Sequence, residues 1–241
     1  MRAPLNTASP THPAAKNFHF TRPSHVAAMT LGVSILCALL FVTVDRPLAV
    51  MLDRLIQPPA EQYWDSITNI GDATYYLIFC VVLYCGGRAG FLKAAQMPQA
   101  RYYYTLSRIG LLGLVSYAVS GAIIHTLKPS LGRLRPKLFF NNDQYGFTPF
   151  HTGWDTSSFP SGHTQSIFVI ATLLAIIFPR IKWLLFSIAF SVGLSRMILK
   201  AHYLSDVLFG AYIAIMSVLL VRAYLFPDIK ACGATTFSTE A

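Results

Sequence analysis

The chain has 241 residues, 54% of them hydrophobic and only 12% charged, with a formal net charge of +9. Soluble domains carry about a quarter charged residues, so this balance, with several apolar runs of near-spanning length, excludes an ordinary soluble domain and predicts an integral membrane protein. The excess of Lys and Arg is read as basic residues retained beside the membrane, not as a nucleic-acid footprint, and no nucleic-acid partner is expected.

Residues 1–24 are rich in Pro, Thr, Ala and His without apolar periodicity and are expected to form a flexible cytoplasmic tail. Residues 26–44 are the first apolar run. They are long for a signal-peptide core and lack a small-residue exit, so they read as an anchor and first span. Residues 45–70 mix Asp45, Arg46, Asp53, Arg54, Glu61 and Asp65 with apolar and aromatic side chains. Too polar to span, they predict an amphipathic helix on the membrane surface, broken at Pro58-Pro59.

The second span is expected over 70–85. A basic loop follows over 86–107, with Arg88, Lys93 and Arg101, and with Tyr102-Tyr103-Tyr104 as an aromatic belt. The third span is expected over 109–127, then a polar loop over 128–162, a fourth span over 164–178 and a basic turn over 179–182. The fifth and sixth spans are expected over 183–199 and 204–226, and a short cytoplasmic tail over 227–241. No internal repeat is visible. The predicted fold is therefore all-α, a six-span transmembrane bundle formed by one domain over 25–226. Cys37, Cys80, Cys85 and Cys232 are scattered without C-x-x-C spacing, which points to small apolar fillers, not disulfides or zinc.

Even parity puts both termini on one side. The Lys and Arg count favours that side as the cytoplasmic one, eleven against eight. Three polar clusters then fall on one side, the outer one in this orientation, and their sharing a side does not depend on the orientation.

The first cluster is Lys128-Pro129-Ser130-Leu131-Gly132-Arg133-Leu134-Arg135-Pro136. Lys128, Gly132 and Arg135 are spaced to share a helix face, although Lys128 and Arg135 each precede a proline, a position that avoids the helical region. A lysine point charge and an arginine fork together suit a phosphate; interfacial snorkelling is the plainer alternative.

The second cluster, Pro160-Ser161-Gly162-His163-Thr164, opens the fourth span. A helix N-terminus offers N–H groups to an anion, Gly162 permits close approach, Ser161 adds a hydroxyl and His163 a proton. The alternative is an ordinary cap with an interfacial histidine. In the third cluster, Arg196 and His202 are six apart, so a turn near Lys200-Ala201 is expected. His202 and Asp206 follow at helical spacing, a carboxylate behind an imidazole. A proton-relay pair in a transporter is the alternative there.

Together the clusters match K-x6-R-P, P-S-G-H and S-R-x5-H-x3-D at Lys128, Arg135, Pro136, Pro160 to His163, Ser195, Arg196, His202 and Asp206. In this the chain resembles the type 2 phosphatidic acid phosphatase family, which shares its site with vanadium haloperoxidases. The motifs span 128–206. The resemblance implies that His202 attacks phosphorus, Asp206 supports it and His163 protonates the leaving oxygen and then activates water. It also implies that Lys128, Arg135 and Arg196, with Ser161 and the Gly162 N–H, hold the phosphoryl oxygens. No metal and no cofactor are expected.

The implied partners are the bilayer and a membrane lipid phosphate: phosphatidic acid, phosphatidylglycerol phosphate, undecaprenyl diphosphate or a lipid A phosphate. Arg133 and Lys137 are candidates for reading a second anionic group, and the 138–159 aromatics for lining the way in or resting at the interface. The implied location is a bacterial inner membrane with the site facing the periplasm. A lipid phosphotransferase using the same site, and a non-enzymatic lipid-binding or transport protein, remain open; haloperoxidase chemistry fits a membrane chain least.

Overall fold

A computed structural model describes residues 21–56, 60–151 and 153–229; most of the two expected tails therefore lies outside the described residues. The elements in chain order are α1 (Pro23–Thr43), α2 (Asp45–Leu55), α3 (Ala60–Asn69), α4 (Ala73–Lys93), α5 (Met97–Leu131) and α6 (Pro136–Asn142). Then come α7 (Gly162–Ile177), a single 3-10 turn (Pro179–Ile181), α8 (Lys182–Ile198) and α9 (Leu204–Leu225). Among the described residues the only β pairing is an isolated bridge between Arg133 and Phe147. The chain is an all-α, membrane-spanning helical bundle.

α7 is the centre. It packs on α4, α5, α8 and α9, and Ile167, Val169, Ile170, Ala171, Leu173 and Ile176 are buried. A helix apolar on every side belongs inside a bundle. α1 is the opposite case: it lies on α9, exposes Leu31, Ile35, Leu39 and Val42, and presents them to lipid.

Of the six expected spans, five are matched by helical stretches among the described residues that are long and apolar enough to cross a bilayer. The expected fourth span is α7, an apolar helix of 16 residues, short of the roughly 20 a spanning helix needs. Surrounded by other helices, it does not have to match the hydrocarbon thickness. α7 and α8 still form an antiparallel pair, so the beginning of α7 and the end of α8 share one end of the bundle.

The basic loop expected over 86–107 is corrected, since only residues 94–96 are non-helical there. α4 and α5 run on as a close antiparallel pair, and Tyr102, Tyr103 and Tyr104 are helical. The cause is a seam of small residues that lets backbones approach. A Cβ on Gly87 would lie 2.5 Å from the Ser107 N, and one on Gly110 2.5 Å from the Tyr84 N.

At the other end of α5 the helix passes through Pro129, stops at Leu131 and is capped by Gly132 at φ +60°, whose N–H donates to the Lys128 carbonyl at 2.9 Å. The expectation that Lys128, Gly132 and Arg135 share one helix face therefore fails. Arg135 is extended and precedes α6, as its position before proline requires.

Candidate active site

Four segments bring the site residues to one end of the bundle: the end of α5 with the strand-like run after it, the start of α7, the end of α8, and the α8–α9 turn. The expected break at Lys200-Ala201 is present. Lys200 takes φ +55°, and the N–H groups of Ala201 and His202 both donate to the Arg196 carbonyl, at 3.0 and 3.1 Å.

His202 is 3% exposed. Its Nδ1 lies 2.6 Å from the Ser158 carbonyl oxygen and 3.6 Å from Asp206 Oδ2. A carbonyl only accepts, so Nδ1 carries the proton and Nε2 keeps its lone pair. Burial pushes the imidazole down to about 3, against the hydrogen bond and charge of Asp206, so the ring is neutral at physiological pH.

Asp206 is fully buried, as the i,i+4 spacing with His202 places it on the first turn of α9. Its Oδ2 accepts from Ser158 Oγ at 2.6 Å and from the Tyr203 N–H at 2.8 Å, and its Oδ1 accepts from Arg133 Nη1.

Lys128 and Arg135 act electrostatically on both His163 and His202, and Arg196 on His163. Lys128 Nζ donates to the Ser157 carbonyl at 2.6 Å. Arg135 Nε donates to the Trp154 carbonyl at 2.7 Å, and the guanidinium lies 3.7 Å over the Trp154 ring. Burial and the neighbouring Arg196 lower Arg135 to about 10, which leaves it charged at neutral pH. Arg196 Nη1 donates to Thr68 Oγ1 at 2.7 Å. Arg135 Nη1 and Arg196 Nε are buried without a hydrogen-bond partner among the described residues. Unpaired donors of this kind are costly unless something accepts from them.

Ser161 precedes α7 and is buried; its Oγ accepts from Thr164 Oγ1 at 2.9 Å and makes no cap bond. A Cβ added to Gly162 would meet nothing within 4 Å, so there is open space beside the first turn of α7. His163 is half-buried beside Gly71 and within electrostatic reach of Asp72. Among the described residues no group of three or more His, Cys, Asp or Glu side chains is placed to hold a metal ion.

One sequence expectation is corrected here. Arg133 does not face a ligand. It is 1% exposed and spans two carboxylates, donating to Asp45 at 2.7 Å and to Asp206, with Ser205 Oγ at 2.6 Å from Nη1. Burial opposes its charge, yet Asp206 and Asp45 together raise its pKa. Lys137 is exposed and lies 5.9 Å from the Trp154 ring. The aromatics of the following loop are divided. Tyr145 stacks on Phe41 at 4.7 Å and its hydroxyl donates to the Phe41 carbonyl, while Phe150 and Trp154 are exposed.

Sequence reasoning missed Asp45, Thr68 and Ser158. The signal for Asp45 was an acid directly after an apolar run. Ser158 stood two residues before the P-S-G-H motif without a distinguishing mark.

The chain matches the PAP2 superfamily over residues 110–230. It is 30% identical over 198 residues to the lipid A 1-phosphatase of Rhizobium johnstonii, covering 80% of this chain and 78% of that one. It is 28% identical over 229 residues to the lipid A 1-phosphatase of Rhizobium etli, covering 82% and 97%. The transmembrane PAP2-type phosphatidylglycerolphosphate phosphatase of Bacillus subtilis has a similar fold, with a TM-score of 0.58 at 24% identity, over 82% of this chain and 94% of that chain. On the match over half its length and the relative at 30% identity, the chain belongs to the PAP2 superfamily.

Proposed function

We propose that the chain is a membrane phosphatase that removes phosphate from a lipid head group through a phosphohistidine on His202, with the 1-phosphate of lipid A as the leading substrate. The observation that carries this reading is the state of His202. It is neutral, with Nδ1 tied to the Ser158 carbonyl, so Nε2 is left as a nucleophile within electrostatic reach of Lys128 and Arg135.

In the first step Nε2 attacks phosphorus in line while the ester oxygen leaves, taking a proton from His163. In the second, His163 accepts a proton from water, the hydroxide attacks the phosphohistidine and inorganic phosphate departs. Lys128, Arg135 and Arg196, with the N-terminal N–H groups of α7, stabilise charge on the phosphoryl oxygens. The unpaired Arg135 Nη1 and Arg196 Nε are donors for those oxygens. With three cations supplying the positive charge, hydrolysis needs no metal ion.

The substrate class is supported from two sides. The two Rhizobium relatives that match most of this chain are lipid A 1-phosphatases. Beside Lys128, a cleft of about 500 Å³ is lined by His125, Pro129, His151, Gly153, Trp154 and Ser157. Histidines, a lysine and an exposed indole face suit the sugar and second anionic group of such a head group, the role that Arg133 cannot take. The site opens toward the periplasm of a bacterial inner membrane in this reading, with the acyl chains in the bilayer.

The test is phosphate release by the detergent-purified chain from lipid A, phosphatidic acid, phosphatidylglycerol phosphate and undecaprenyl diphosphate, without an acceptor lipid and with His202→Ala as control. Release from lipid A above the others is expected. Transfer only when an acceptor lipid is added would make the chain a phosphotransferase, and no turnover of any lipid would sink the reading.

A further inference from the structure

Among the described residues, three polar ties between the surface segment α2–α3 and the bundle lie at or beside a candidate catalytic or phosphate-binding residue. Asp45, at the start of α2, reaches Arg133 and Ser205, next to Asp206. Asp53 and Glu61 pair with Lys200 at 2.6 and 3.6 Å, two residues before His202. Thr68 accepts from Arg196.

The Asp45 tether differs in kind from the others. Asp45 Oδ2 accepts from Arg133 Nη2 at 2.7 Å and from Ser205 Oγ at 2.5 Å, and Oδ1 accepts from the Ser205 N–H at 3.1 Å. The side chains of Asp45, Arg133 and Asp206 are 0%, 1% and 0% exposed. Burying three charges costs more than apolar packing of similar shape, so stability alone does not explain the arrangement. What it accomplishes is directional. Arg133 occupies Asp206 Oδ1, while Ser158 Oγ and the Tyr203 N–H occupy Oδ2. With both oxygens engaged, the carboxylate stands 3.6 Å from His202 Nδ1 and the imidazole proton goes to the Ser158 carbonyl instead.

We propose that Asp45 is a positioning residue for the candidate nucleophile: through Arg133 it fixes the Asp206 carboxylate, through Asp206 the Ser158 backbone, and through Ser158 the tautomer and aim of His202. The kinetic part of this proposal rests on the phosphatase reading. Two carboxylates and one guanidinium also leave one net negative charge behind the imidazole, and Asp45 supplies it.

Asp45→Asn removes the charge at nearly constant shape, and Asp45→Glu keeps the charge but crowds a packed position. For the whole chain of 241 residues in detergent, Asp45→Asn is expected to lower kcat about tenfold with KM within about twofold. Asp45→Glu is expected to keep more activity than Asp45→Asn while melting no higher. Arg133→Lys is the second variant, should Asp45→Asn not fold. A lysine cannot bridge both carboxylates in fork geometry, and kcat is expected to fall there as well. Wild-type kcat in either variant, or activities that simply follow melting temperature, would overturn the proposal.

Histidine ring nitrogen NMR reads the same relation without turnover, the His202 signals being identified by their loss in His202→Gln. A single Nδ1–H tautomer is expected in the wild type and a mixture in Asp45→Asn. Identical His202 signals in the two proteins would overturn the proposal even if the wild type releases no phosphate, the result that counts against the phosphatase reading.

Discussion

The imidazole of His202 and the backbone carbonyl of Ser158 are 2.6 Å apart, closer by a full ångström than His202 is to Asp206. The Nδ1–H tautomer is therefore set by a backbone acceptor and not by direct contact with Asp206. Asp206 contributes instead by holding Ser158 and by its charge. Asp206→Asn is therefore expected to lower phosphate release about a hundredfold yet leave it measurable, the scale typical of a supporting group. His202→Ala is expected to abolish it and to form no acid-labile phosphoenzyme. Side-by-side assays and radiolabelled phosphate trapping check both outcomes.

The three cations make a second prediction. Lys128→Met, Arg135→Met and Arg196→Met are each expected to cost about 10²–10³ in kcat, as for loss of one preorganised charge-stabilising donor. Excess EDTA is expected to leave the wild-type rate unchanged. Loss of activity in EDTA with recovery on adding Mg²⁺ would contradict the proposed mechanism.

Arg133 gives a stability prediction. Arg133→Met leaves Asp45 and Asp206 facing each other in a buried site, and removing one partner of a buried ionic group costs about 3–5 kcal/mol. The variant is expected to melt well below the wild type in detergent, and Asp45→Asn combined with it to recover part of the loss. The arrangement of α2 makes this recovery a sharp test, since a merely local packing defect would not be relieved by a second change.

His202 also predicts how stability varies with pH. Its folded value near 3 lies below the ordinary 6.5, so between those values the unfolded chain binds the proton and the folded chain does not. Stability then rises with pH across this window, is fully present above about 6.5, and falls as the pH drops toward 3. The slope contributed is at most about 1.4 kcal/mol per pH unit. Melting curves at pH 7 and pH 5 are expected to differ more for the wild type than for His202→Gln.

The α4–α5 seam is testable apart from any chemistry. Gly110→Ala drives a Cβ against the Tyr84 backbone, and overpacking of this kind costs about 1–3 kcal/mol. A lower melting temperature with unchanged turnover per folded molecule is the expected outcome.

The candidate site was legible in the sequence because its charges stand out against apolar surroundings. Lys128, His163, Arg196 and His202 are conspicuous in a chain with so few ionisable groups, and the break at Lys200 follows from the spacing of Arg196 and His202. Less legible were features that depend on what a side chain meets. Arg133 and Arg135 are two residues apart in one motif and look alike. Only the fold shows that one is buried against two acids and the other stacked on Trp154. The 86–107 segment read as a loop because its glycines and basic residues suggest one, whereas those glycines are what let α4 and α5 touch. The central place of α7 was not legible either, because apolar composition does not distinguish lipid from protein neighbours.

The superfamily match begins at residue 110, well after Asp45 and Thr68. A fragment cut at that boundary would contain every candidate catalytic residue and still leave Arg133 holding one carboxylate instead of two, and Arg196 without its threonine. The α2–α3 segment therefore has to travel with the catalytic block in any chimaera between relatives. An exchange confined to the recognised region is expected to give a protein that inserts in the membrane but turns over poorly, until residues 45–72 come from the same parent.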